Sequence, residues 1–389
     1  MHLLLIDTAP CGQRGSMSQY RNVILDALSS SGENTNLEIT TLRLALSSRV
    51  IAKFPLRVRN WIHHAWIMAT AKARIRRCKA DIIHILDGSH AYIAKWCSGT
   101  PVVVTSHDLI PALQSRGYFG GKLPSRAGQW LIRQSIESLS ASDLIIAVSR
   151  NTASDIHRFA SVANEKIRVV CSAVSKDISE RAEDAPLVPW QERRAREDAY
   201  MLHLGNNAFY KNRAGVVRVF ARVLEKCNIR LIMAGPAPTK ELLSIVEEKG
   251  LSGAIEFAAD PDETALDNLY RNACLFLFPS LYEGFGWPPL EAMAYGCPVV
   301  CSDAASLPEV VGDAALTCSF GNEEQFAGQC TSVLQDERIA NDLVAKGLIQ
   351  AGKFTVKKMG KELFSVYDAV LQTRSAGQRI QISDSGVDR

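Results

Sequence analysis

The stretch Tyr282–Gly296, "YEGFGWPPLEAMAYG", follows the apolar run "CLFLF" (274–278) and carries glycines, adjacent prolines and two glutamates. The apolar run reads as a buried strand, and "LYEGFG" as the turn that leaves it. Pro288 or Pro289 is expected at the first position of a short helix that stops at Gly296 as its C′ residue. A helix placed this way offers unpaired N–H groups and a positive dipole end, which together seat a diphosphate. Glu283 lies just before that seat, and Glu291 about one turn inside it. A carboxylate accepts paired hydrogen bonds from vicinal hydroxyls, so one glutamate can hold a ribose and the other a sugar. Gly284 and Gly286, on either side of Phe285, let the backbone approach the ligand. The helix dipole alone accounts for one glutamate near the start; it does not account for Glu283 beside two glycines.

Outward from this stretch, short apolar runs alternate with longer helical patterns. The runs at 2–6, 81–86, 101–105, 143–148 and 167–171 read as a first series of buried strands. A polar, proline-bearing segment, 179–198, reads as a linker between domains. The alternation restarts at 200–204, 229–234, 254–258, 274–278 and 297–301. Two such series predict two α/β domains with parallel sheets, doubly wound, with a ligand cleft outside the carboxyl ends of the strands. The expected organisation is a first domain over 1–178, a second over 199–352, a closing helix over 353–372 and a polar, disordered tail over 373–389.

Motifs fall just after strands, as that architecture requires. "APCGQRGS" follows the first strand, and Gly15 there can bring N–H groups to an anion, although a full G-x-G-x-x-G fingerprint is missing. "SHDLIP" (106–111) places His107 and Asp108 at a strand's carboxyl end, where an imidazole can hydrogen-bond a sugar hydroxyl or simply cap the next turn. "GNNAFYKN" (205–212) offers the amides of Asn206 and Asn207 and the compact cation of Lys211, which suits a phosphate or plain solvent. "DPDE" (260–263) resembles a metal-binding pair but reads better as a helix cap, with Asp260 at N-cap, Pro261 at N1 and Glu263 at N3. No metal site is expected.

The net charge of +3 hides an asymmetry: residues 1–180 hold 22 Lys and Arg against 13 Asp and Glu, the remainder 22 against 28. A basic front half suits an anionic surface or substrate. Within it, residues 52–80 carry eight Lys and Arg and no acid, interleaved with Phe54, Trp61, Trp66, Ile67 and Met68. Such a stretch is either a solvated helix face or a patch that meets an anionic membrane. The ten cysteines are scattered without metal-ligand pairing and read as reduced thiols of a cytoplasmic protein. "MHLLLIDT" has no basic region and meets Asp7 early, so no signal peptide is expected, and no run is long enough to span a membrane.

The stretch 279–316, "PSLYEGFGWPPLEAMAYGCPVVCSDAASLPEVVGDAAL", resembles the nucleotide-sugar site of retaining GT-B glycosyltransferases of family four, whose hallmark is two glutamates separated by seven residues. The resemblance extends to "SHDLIP", "DLIIAVSRNTASDI", "LGNNAFYKN", "MAGP" and the closing "FTVKKMGKELFSVYDAVL", hence to nearly the whole chain. It implies a GT-B fold of two Rossmann-like domains across a deep cleft, the last helix crossing back onto the first domain. It implies that Glu283 contacts the transferred sugar and Glu291 the ribose. Gly15, Lys211 and the backbone at Phe285, Gly286 and Leu290 would hold diphosphate and sugar, with His107 beside the anomeric centre. One departure matters: many relatives have an arginine where this chain has Asn206, so phosphate neutralisation would lean on Lys211, helix ends and a further basic residue that the sequence does not identify.

The resemblance implies transfer from a nucleoside-diphosphate sugar, GDP-mannose first and glucose or N-acetylglucosamine next, to a glycan or lipid-linked acceptor in surface polysaccharide synthesis. No cofactor, no metal and no nucleic acid is expected, and the location is cytoplasmic or peripheral at the inner membrane face. A nucleotide-sugar epimerase and a silent scaffold of the same fold are the alternatives. The first would not characteristically carry the two-glutamate stretch, and intact Glu283, Glu291, Lys211 and His107 speak against the second.

Overall fold

The computed structural model describes residues 1–384 except 11–15, 33–35, 98, 121–122 and 184–185, and the backbone alone at 48, 56, 57, 183 and 374–384. Gly15 therefore lies outside the described residues. The chain divides into two compact units, Met1–Ala173 with Val356–Arg389, and Val174–Thr355.

The first unit is built on β1 (His2–Asp7), β2 (Glu38–Arg43), β3 (Ile82–Ile85), β4 (Val102–Ser106), β5 (Leu144–Ala147) and β6 (Ile167–Val169). The sheet is parallel, in the order β2-β1-β3-β4-β5-β6. β3, β4 and β5 are buried at every position, which is why they read as continuous apolar runs. β2, "EITTLR", sits at the edge and is half exposed, so its polar alternation hid it among loops.

The second unit has β7 (Tyr200–Leu204), β8 (Arg230–Gly235), β9 (Ile255–Ala259), β10 (Leu275–Phe278), β11 (Val299–Ser302) and β12 (Leu316–Cys318). Its order is β12-β11-β10-β7-β8-β9, again parallel. The chain runs outward from β7 to β9, then returns to the other side of β7 with β10. In a doubly wound sheet that reversal opens a crevice at the carboxyl ends of the two strands beside it. Here those strands are β7 and β10; in the first sheet they are β1 and β3.

Three expectations need correction. Residues 179–198 are not a bare connector: they hold helices ending and beginning at Glu183 and Trp190, inside the second unit. Trp190 is buried in that unit's core and donates to the Cys274 carbonyl at 2.9 Å. Arg193, 1% exposed, donates to the carbonyls of Val188, Ala273 and Gly296, so its charge is clothed in backbone oxygens. The final helix spans Val356–Asp384, through most of the expected tail, because no proline interrupts its run of good helix formers. The cap at "DPDE" falls two residues late. Asp260 adopts a left-handed φ of 45° and donates its N–H to the Gly235 carbonyl, so Asp262 caps the helix Glu263–Asn272, accepting from Ala265 N at 2.8 Å.

The final helix packs on Ser16–Ser30 within the first unit. The approach is close: a Cβ on Gly360 would lie 2.1 Å from the Ala27 carbonyl oxygen, so only glycine fits. Tyr367 reaches the sheet and hydrogen-bonds His84 Nδ1 at 2.8 Å, while His84 Nε2 meets the Thr105 hydroxyl at 2.8 Å.

Burial pushes His64, His84 and His203 down to about 3, and lowers His63 and His107 as well. Unfolded, each titrates near about 6.5. Below that pH the unfolded chain binds protons that the folded chain refuses until about 3, so stability is complete above 6.5 and falls as pH drops through this window. Each fully depressed histidine contributes about 1 kcal/mol per pH unit. The melting temperature should fall from pH 7.5 to pH 5; a flat or rising profile would contradict the neutral state of these rings.

Candidate functional site

β10 ends at Phe278, and Pro279–Gly286 turns into the helix Trp287–Ala294. β7 ends at Leu204, and its loop passes through a short turn, Phe209–Lys211, before the helix Arg213–Leu224. The two loops are stitched together. Leu281 N donates to the Tyr210 carbonyl at 2.7 Å, the Ser280 hydroxyl to the same oxygen at 3.0 Å, and Asn212 Nδ2 to the Pro279 carbonyl at 3.0 Å. The adjacency of β7 and β10 thus becomes a side-chain meeting. Lys211 Nζ lies 2.7 and 3.0 Å from the two carboxylate oxygens of Glu283.

Both partners are nearly buried, at 13% and 10% side-chain exposure. The Ser280 hydroxyl donates to Glu283 Oε1 at 2.5 Å, and Lys211 Nζ lies 5.1 Å from the Phe278 ring centroid. Such a pair survives burial because each charge has the other and further polar or aromatic contacts. It also presents a cation and an anion side by side at the crevice.

The turn after Glu283 is shaped by Ser306, whose hydroxyl donates to the carbonyls of Glu283 and Phe285 at 2.9 and 2.5 Å. Gly286 is the N-cap at φ 122°, and a Cβ there would sit 2.8 Å from Leu307 Cδ2. A side chain at this position would be strained twice over. Phe285 and Leu290 are buried, and Gly284 lies between Glu283 and Phe285 in the same turn. Gly296 follows the helix at φ 65°, the C′ position expected for it.

The start of this helix differs from expectation. Trp287 takes the first position, and Pro288 and Pro289 take the second and third. Prolines carry no N–H, so the helix keeps its dipole while two of the four free N–H groups at its start are gone. Glu291, 5% exposed, accepts from the Tyr270 hydroxyl at 3.1 Å. Burial, reinforced by Glu291, raises Tyr270 well above the usual phenol range, so its hydroxyl stays a donor.

Asn206 and Asn207 are exposed. Asn206 Oδ1 accepts from Ala208 N at 2.9 Å and holds the loop's turn. Asn207 Nδ2 donates to the Ala237 carbonyl at 2.9 Å, and its Oδ1 accepts from Arg213 Nη1 at 2.5 Å. Sequence reading passed over Ser280, Ser306, Tyr270 and Arg213. None carries a local signature, because each also makes a contact twenty or more residues away along the chain.

His107 and Asp108 belong to the first unit, directly after β4. His107 Nε2 lies 2.9 Å from the Leu86 carbonyl, which fixes Nε2 as the donor, and its ring stands edge-on to Tyr20 at 4.3 Å. Burial lowers its pKa against the opposing pull of Asp87. The imidazole is therefore neutral, with Nδ1 as acceptor. It does not cap the next turn; Asp108 does that, accepting from Ile110 N at 2.9 Å. At the ends of β1 and β3, His63 Nε2 donates to the Thr8 carbonyl at 2.9 Å, and His90 stacks on His64 at 4.5 Å with Nδ1 3.2 Å from Asp87. Among the described residues no group of three or more His, Cys, Asp or Glu could hold a metal.

Comparison with known proteins follows this geometry. The family model described as Glycosyltransferase Family 4 matches residues 25–177, and that described as Glycosyl transferases group 1 matches 185–349. The chain is 32% identical to the O-antigen chain mannosyltransferase B of Escherichia coli, over 59% of this chain and 62% of that protein. It is 25% identical to the serotype-specific mannosyltransferase WbdA of Escherichia coli, over 85% of this chain and 43% of that one. The chain thus spans less than two thirds of the length of these relatives. Among solved structures, sucrose-phosphate synthase from Thermosynechococcus elongatus superposes with a TM-score of 0.73 at 17% identity, covering 96% of this chain and 99% of that one, a likeness of fold. The architecture is GT-B. With one model on each half and together over most of its length, the chain belongs to glycosyltransferase family four, the group 1 glycosyltransferases.

Proposed function

We propose that the chain is a retaining hexosyltransferase that moves a sugar, mannose first, from a nucleoside-diphosphate donor to a glycan or lipid-linked acceptor in surface polysaccharide synthesis. One observation carries the reading: the Lys211–Glu283 pair at the reversal of the second sheet, beside the turn that opens the helix Trp287–Ala294. Relatives named as O-antigen and serotype-specific mannosyltransferases support mannose and favour transfer over epimerisation.

In the proposed reaction the bond from the anomeric carbon to the phosphate oxygen breaks, leaving negative charge on the diphosphate and an oxocarbenium-like sugar. A bond to the acceptor oxygen forms on the same face, and the acceptor's proton passes to the departing phosphate oxygen. The protein's task is to stabilise charge in place. Lys211 and the positive end of the helix Trp287–Ala294 meet the diphosphate, while Glu283 turns from Lys211 to the sugar hydroxyls. Glu291, oriented by Tyr270, holds the ribose. Asn206, Asn207 and the backbone of Gly284, Phe285, Gly286 and Leu290 line the donor, with Gly15 assigned by resemblance. His107 offers a neutral acceptor to a hydroxyl, and Asp108 fixes its turn. Lysine and helix dipole supply positive charge, so we expect no cofactor and activity that survives a chelator.

Purified protein incubated with GDP-, UDP- and ADP-sugars should hydrolyse one donor slowly. Glu283→Gln should abolish turnover while the nucleoside diphosphate still binds. Hydrolysis of none of the donors, or full turnover by Glu283→Gln, would remove this reading.

We further propose that residues 52–80 meet an anionic membrane at the cytoplasmic face. Ile67 belongs to the core and Trp61 and Met68 pack against it, so the patch is narrower than the sequence suggested. Phe54, Val58 and Trp66 stay exposed on and beside the helix Leu56–Ile75. Each engaged cation contributes about 1 kcal/mol at such a surface. No helix among the described residues is long and apolar enough to cross a membrane. Co-sedimentation with liposomes should rise with anionic lipid and fall with salt; binding indifferent to both, or none, would contradict the patch.

A further inference from the structure

Arg213 opens the helix Arg213–Leu224, two residues after Lys211, and is 6% exposed. Its Nη1 donates to Asn207 Oδ1 at 2.5 Å and to the Pro236 carbonyl at 2.9 Å, and the guanidinium lies 5.8 Å from the Phe257 ring centroid. Nε and Nη2 are buried without a partner. Those two nitrogens form one edge of the guanidinium, with parallel N–H bonds, and it is the edge that grips a carboxylate or phosphate bidentately. Among the described residues no carboxylate pairs with Arg213.

Arg193 is the internal control. It is more deeply buried, yet each of its three guanidinium nitrogens finds a backbone carbonyl, and its role is to hold chain segments together. A buried guanidinium whose forked edge faces nothing is costly, and an arriving anion removes that cost. The location suits an anion. Asn207 follows β7 and Pro236 follows β8, so Arg213 stands at the carboxyl ends of the strands that also carry Lys211. Beneath them His203 donates through Nδ1 to the Leu277 carbonyl at 3.0 Å, and its buried Nε2 has no partner. Burial holds His203 neutral, and the nearby charges of Arg213 and Lys211 lower its pKa further. The helix Trp287–Ala294 lacks the N–H donors of its two prolines, so the seat is short of backbone donors there.

We propose that the Nε/Nη2 edge of Arg213, at the start of the helix that follows the Lys211 loop, binds the diphosphate of the donor. The inference rests on the nucleotide-sugar reading above.

The test is equilibrium binding of GDP, UDP and ADP to the wild type, followed by the tightest of them, its monophosphate and its nucleoside to Arg213→Met, Arg213→Lys and Lys211→Ala. Arg213→Met should weaken the diphosphate about 10- to 100-fold and leave the nucleoside unchanged, because only the charge-assisted fork is lost. Arg213→Lys, which keeps the charge without the fork, should lose about 10-fold and carries the test should the methionine variant not fold. Equal losses for diphosphate and nucleoside would make Arg213 a brace for its loops and overturn the inference. Unchanged diphosphate binding by the Arg213 variants while Lys211→Ala loses it would overturn the inference alone. A wild type that binds none of the three diphosphates would take the nucleotide-sugar reading down with it.

Discussion

The ion pair between Lys211 and Glu283 is the constraint around which the second unit is arranged. The two residues are 72 positions apart and meet because the chain reverses direction across the sheet between β7 and β10. Moving either charge from water into this site costs several kcal/mol, and the attraction offsets that only with good geometry and further hydrogen bonds. Ser280 supplies one of these, and the hydrogen bonds from Leu281, Ser280 and Asn212 hold the two loops in register. Ser306 and Gly286 then set the angle at which the chain enters the helix beyond. Without a ligand the pair is self-satisfied, each charge meeting the other.

Much of this was legible in the sequence for a simple reason. Strands buried on both faces of a parallel sheet are unbroken apolar runs, so β3, β4, β5, β7, β8 and β10 stand out, and loops after them are where ligands bind. Glu283 could be singled out because it sits in such a loop beside Gly284, Lys211 because it lies in the loop after β7, and Glu291 because it follows in the helix after β10. What the sequence hid has a common character: it depends on contacts made far along the chain. Arg193 looked like part of a charged linker because only the fold reveals the three carbonyls that receive it. Arg213 was passed over because only the fold buries it. The edge strands β2 and β12 escaped because an edge needs less apolar surface. The cap at Asp262 slipped by two residues because a left-handed Asp260 is a local choice stabilised by a bond to Gly235.

The prolines show how two local rules can compete. Proline near a helix start is favoured because its φ is already set and its missing N–H would be unpaired. The same missing N–H removes donors that an anion would use. In this chain the helix gains a well-defined start and loses the two N–H donors of its prolines.

The central claim, that Lys211 and Glu283 stabilise one another in the free protein and are separately required for transfer, is tested most directly by a double-mutant cycle. Unfolding free energies of Lys211→Met, Glu283→Gln and the double variant are compared with the wild type, alongside sugar transfer by each. The account predicts that Lys211→Met, which strands a buried carboxylate, loses about 3 kcal/mol. It predicts that the double variant regains most of that stability and yet transfers no sugar. Additive stability losses with no coupling, or transfer by the double variant, would contradict it.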